Sequence, residues 1–130
     1  MSLISVPVSP GELLDKITIL EIKSERMHDP DKLANVRHEL HLLEDTWAEV
    51  EGGAALPDQR ARLKAVNEAL WEIEDHIRIK ERDADFGPDF IELARSVYFR
   101  NDERAAVKRE VNQRLGSRLV EEKSYQDYRR

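Results

Sequence analysis

A chain of 130 residues with 37% charged, 40% hydrophobic and 6% aromatic residues, and five each of glycine and proline, has the composition of long amphipathic helices and fits poorly with a sheet-rich fold. The absence of cysteine excludes disulfides, thiolate metal sites and cysteine nucleophiles, and fits a cytoplasmic setting. A net charge of −6 argues against nucleic-acid binding, no apolar run reaches the ~20 residues of a membrane span, and no signal-peptide pattern opens the chain.

The length is that of a single helical domain over residues 1–130. Ile4, Val6 and Val8 alternate with Ser5, Pro7 and Ser9, predicting an extended N-terminal arm, either an edge strand or a strap across the bundle. Ser9 is a natural N-cap, Pro10 suits the first helical position, and Glu12 completes a capping box. The first helix is expected to run to about His28. Leu13, Ile17, Leu20 and Met27 form its stripe, while Leu14, Ile19 and Ile22 lie outside it. A helix apolar on several sides is central to its bundle or covered by another subunit.

Pro30 separates this helix from a second, whose seam of Leu33, Val36, Leu40, Leu43, Trp47 and Val50 repeats by three and four until Gly52-Gly53. Pro57 opens a third helix to about Arg82, with the seam Leu63, Val66, Leu70, Ile73 and Ile77. At about 37 Å it is long enough for a coiled-coil-like pair with the second. Gly87-Pro88-Asp89 introduces a fourth helix ending at Gly116. Beyond it, residues 117–125 are expected to dock through Leu119, Val120 and Tyr125, and Asp127 to Arg130 to fray. The expected fold is all-α, an antiparallel bundle of four main helices.

The fourth helix spoils its own stripe. Phe90, Ala94, Val97, Asn101, Arg104, Lys108, Val111 and Leu115 fall on one side, so Asn101, Arg104 and Lys108 stand where a bundle expects leucines. Buried charge must find partners, a ligand or water. From Arg95 to Arg118, seven basic residues face three acidic ones. Arg100, Arg104, Lys108 and Asn112 recur every four residues, and like charges so placed repel unless something anionic faces them. Three readings follow: ion pairs with Glu72, Asp75 or a first-helix carboxylate; a polar gap meeting its own copy across a two-fold axis; or a small phosphate or carboxylate ligand held by Asn101, Arg104, Lys108, Arg100 and Asn112.

Metal chemistry has weaker footing. Glu25-x-x-His28 is a lone di-iron-type pair at a helix end, and His38, His41 and Glu44 share a face of an otherwise charged helix, so neither metal nor cofactor is assigned. Nucleophile elbows and phosphate-binding glycine loops are absent from the sequence.

The phrases SPGELLDKITILEIKSER, LWEIEDHIRIKE, FIELARSVYFRNDERAAVKREVN and GSRLVEEKSY together resemble an uncharacterised family of short bacterial proteins, catalogued as a domain of unknown function. The resemblance spans Val6 to Tyr125 and implies no activity or catalytic residue. The function expected is therefore a non-enzymatic helical binding or assembly module. The alternative is an enzyme or sensor binding a small anionic metabolite at the basic patch of the fourth helix. Surplus apolar groups at Ile19, Ile22, Trp71, Ile79 and Phe99 point to a homodimer.

Overall fold

A computed structural model describes residues 2–129. Four α-helices follow in order: α1 (Pro10–Arg26), α2 (Pro30–Ala48), α3 (Pro57–Arg82) and α4 (Pro88–Arg114), with one 3₁₀ turn, Gly53–Ala55, between α2 and α3. Among the described residues there is no strand, and no helix is long and apolar enough to cross a membrane.

Every helix begins on a proline, whose fixed φ suits the first turn and whose missing N–H removes a donor that would have no partner there. Two starts are also capped by side chains. Ser9 Oγ accepts from Glu12 N at 3.2 Å, and Asp29 Oδ1 accepts from Asp31 N at 2.9 Å and Lys32 N at 3.2 Å. Gly52, at φ 81°, turns the chain out of α2, and Gly116, at φ 63°, turns it out of α4. Ala84 takes the same left-handed conformation after α3, at φ 52°, and Asp85 N donates back to the Lys80 carbonyl at 2.9 Å.

The first helix occupies the centre. It packs against each of the other three, with Leu14, Ile17, Leu20 and Ile22 all buried. Leu14 and Ile17 join Trp47, Leu56, Leu63, Val107 and Val111 in the core. Of the two explanations for a helix apolar on several sides, the central place is the one realised for Ile22, which is 1% exposed within one copy and is not a surplus group.

The anticipated long pair of α2 with α3 does not form. The most extensive helix pair is α3 with α4, joined near one end by Gln59 and Glu110 at 3.0 Å and near the other by Lys80 and Asp89 at 3.9 Å. Helix α2 packs mainly on α1 and buries only Trp47. Its seam is spent on α1, because α1 has an apolar side to offer on each flank.

Helix α1 has 17 residues against 26 and 27 in α3 and α4. It ends at Arg26, paired with Glu72 and 3.7 Å from Glu68. Residues 73–82 of α3 and the first turns of α4 therefore run on past it as a two-helix hairpin. The N-terminal arm is extended but forms neither edge strand nor strap: Ile4 is 85% exposed, and Leu3, Val6 and Val8 are exposed as well.

Candidate functional site

The polar break in α4 meets a second polar row on α1. Gly11, Asp15, Thr18 and Ile22, spaced by four, three and four, are all buried, and this row is the α1 surface turned to α3 and α4. Asp15 is 1% exposed, and its carboxylate is fully engaged. Arg104 grips it bidentately, Nε donating to Oδ1 at 2.9 Å and Nη2 to Oδ2 at 2.5 Å. Asn67 Nδ2, from α3, donates to Oδ1 at 2.9 Å and to Thr18 Oγ1 at 3.0 Å. The Thr18 hydroxyl in turn donates to the Asp15 carbonyl at 2.7 Å. Three helices are thus tied at one buried carboxylate.

One turn further along α4, Lys108 is buried but its ammonium lies 2.8 Å from Glu12 and 2.9 Å from Glu121. Burial opposes the charged form, yet the hydrogen bonds to Glu12 and Glu121 outweigh it, and the Lys108 pKa lies above the ordinary lysine value. The same contact to Lys108 holds the Glu121 carboxyl below the usual range. For Arg104 the hydrogen bond to Asp15 dominates and raises the pKa further. Another turn on, Asn112 Oδ1 accepts from Gly11 N at 2.7 Å, satisfying a free N–H at the start of α1. The helices touch there: a Cβ on Gly11 would lie 2.5 Å from the Lys108 carbonyl oxygen.

Glu121 belongs to the segment after α4. Gly116 reverses the chain, Ser117 N donates to the Asn112 carbonyl at 2.9 Å, and the tail runs back along α4 without regular structure. It docks, but not through the residues expected. Leu119, Val120 and Tyr125 are exposed, Tyr125 at 82%. The attachment points are Glu121 on Lys108 and Tyr128, whose hydroxyl donates to Asp102 at 2.6 Å and whose ring lies 4.9 Å from Tyr98 and 5.1 Å from Phe99. Tyr128 therefore belongs to the docked part and not to a frayed end; Arg130 lies outside the described residues.

The structure brings together three of the five residues marked out by the sequence. Asn101, Arg104 and Lys108 wall a polar cleft of about 240 Å³ with Glu12, Glu121 and Lys123. Asn112 serves as the partner of Gly11, and Arg100 is exposed, 3.1 Å from Glu103. The third helix does not supply the acidic partners: Glu72 pairs with Arg26, while Arg104 and Lys108 take theirs from α1 and the tail. The expected pairing with a first-helix carboxylate is met by Asp15 and Glu12, which the sequence did not single out, and Asn67 and Glu121 were missed. The Gly11-Asp15-Thr18 row was the available signal for Asp15, being small or polar where α1 also faces inward.

Arg104 and Asn101 also border a larger groove of about 490 Å³ between α1, α3 and α4, walled by Ile19, Leu70, Trp71 and Val97. Among the described residues, no group of three acidic or histidine side chains is placed to hold a metal ion, and Glu44, which shares a face with His38 and His41, is bound to Arg60. Nor does any buried side-chain nitrogen or oxygen there lack a hydrogen-bond partner.

The model of a family of unknown function, DUF6165, matches residues 4–128, and the chain belongs to that family. Comparison with curated proteins and with solved structures gives no match.

Proposed function

We propose, for this member of a family without an assigned function, a non-enzymatic helical assembly module that pairs with a second copy of itself through the outer part of the α3–α4 hairpin. The observation that carries this reading is the exposure of Ile79, Phe86 and Ile91, between 43% and 54% each, where the hairpin outruns α1. Large apolar side chains exposed together on a surface mark interaction sites.

Charge favours a second copy as the occupant. From Glu68 to Glu92 nine acidic residues stand against three basic ones, whereas Arg95 to Arg118 still carries five basic residues against three acidic ones once Arg104 and Lys108, paired with Asp15, Glu12 and Glu121 of the same chain, are set aside. Two hairpins laid side by side in opposite directions set each acidic end against a basic one. The absence of cysteine supports a cytoplasmic setting. Sedimentation at micromolar concentration is expected to give twice the 15.1 kDa chain mass. Ile91→Asp, at a position exposed in the single chain, should return the monomer with its helicity intact. A wild-type protein that sediments only as a monomer overturns the reading.

A further inference from the structure

We propose that the polar cleft between α1 and α4 is a binding site for a small polycarboxylate, and that the Glu121 side chain is its built-in competitor. The site goes beyond the assembly role and does not depend on it. Its floor is Lys108, buried and held on one side by Glu12 from α1. Its wall is Arg104, whose bidentate pair with Asp15 uses Nε and Nη2 and does not involve Nη1. Asn101 adds a carboxamide, and Lys123 lines the cleft from the tail itself and leaves with it. Together they surround about 240 Å³, room for a molecule of a few carbons with two or three carboxylates.

The cleft already binds a carboxylate, and that is the observation that identifies the ligand class. Glu12 reaches Lys108 from a helix packed in the core, whereas Glu121 reaches it from the unstructured tail, at 2.9 Å from Lys108 and with Lys123 3.7 Å away. The tail's other attachment is Tyr128, which sits outside the cleft on Tyr98, Phe99 and Asp102. An external carboxylate can therefore take the Glu121 position by lifting a short length of chain, with no helix moved and no buried partner stripped from Asp15. A tethered carboxylate acts as a competitor at millimolar effective concentration, so the site is filled in the resting chain and opens to ligand at the expense of the tail.

Citrate is the probe, titrated into the full chain at constant ionic strength with chloride as the control anion, and followed by amide chemical shifts. Wild type should bind weakly, with shifts at Asn101, Arg104 and Lys108 moving together with those of residues 119–123 as the tail leaves. Glu121→Gln, which changes one partly exposed side chain, should bind citrate at least about tenfold more tightly, the factor expected when a competitor occupying the site nine-tenths of the time is removed. Lys108→Met should abolish binding in either background. The proposal is overturned if citrate leaves the amides of Glu121→Gln unshifted, if Glu121→Gln and wild type bind alike, or if citrate binds while the tail signals stay in place.

Discussion

Asp15 is the residue on which the most interactions converge. A carboxylate with 1% exposure is tolerated only because Arg104 and Asn67 meet it from two other helices. Removing one partner of a buried pair leaves the other charge uncompensated, which costs about 3–5 kcal/mol, and the partial exposure of Arg104 puts this case near the lower figure. Arg104→Ala is accordingly expected to lose about 3 kcal/mol in urea unfolding. The double variant Asp15→Leu, Arg104→Met should recover most of that loss, since apolar replacement of a buried pair is often neutral. A double variant no more stable than Arg104→Ala would mean that the charges position the helices in a way that packing cannot replace. Glu121 gives the second residue-scale expectation. Its folded pKa is depressed, chiefly by Lys108, so the stability it contributes is complete above the unfolded glutamate value of about 4.3 and is lost as pH falls through the folded value. Tail amides should therefore shift to their undocked positions only as pH falls below the unfolded glutamate value, and Glu121→Gln should lack this transition.

At the scale of elements, the turn between α3 and α4 carries a correctable strain. Ala84 sits at φ 52°, a conformation that costs an L-residue about 1–2 kcal/mol and a glycine almost nothing. Glycine's greater freedom in the unfolded chain takes back about 0.4–1 kcal/mol, so Ala84→Gly should stabilise the protein by about 0.5–1 kcal/mol in urea unfolding. A loss would show that the turn relaxes to another conformation. Helix boundaries were legible in the sequence for a local reason: Ser9-Pro10, Asp29-Pro30, Pro57 and Pro88 carry their start signals within two residues, and all four helices begin there. Partners were not legible. Periodicity states that Leu40, Leu43 and Trp47 share a side of α2, but not which helix covers it, and α1 took the place expected for α3. The site was half visible for the same reason. Arg104 and Lys108 stood out against leucines in their own stripe, whereas Asp15 lay on a second face whose burial depends on how α3 and α4 meet.

For the whole molecule, the proposed pairing makes a prediction about how two copies would be oriented. The apolar side chains exposed on the outer hairpin, Ile79, Phe86 and Ile91, set no direction, because apolar burial is non-directional. The charges do. If the copies lie in opposite directions, the acidic stretch from Glu68 to Glu92 faces the basic stretch from Arg95 to Arg118, and attraction adds to burial. If they lie in the same direction, acid faces acid and repulsion subtracts from it. Salt separates the two, because raising it from 0.1 M to 1 M cuts the Debye length from about 10 Å to about 3 Å and leaves apolar burial in place. We expect the dissociation constant, measured by sedimentation equilibrium across that range, to rise with sodium chloride and to level off at a finite value. The residual association at 1 M then measures the apolar contribution alone. A constant that falls with salt would assign the same-direction arrangement, and one that does not respond would place the contact away from both charged stretches.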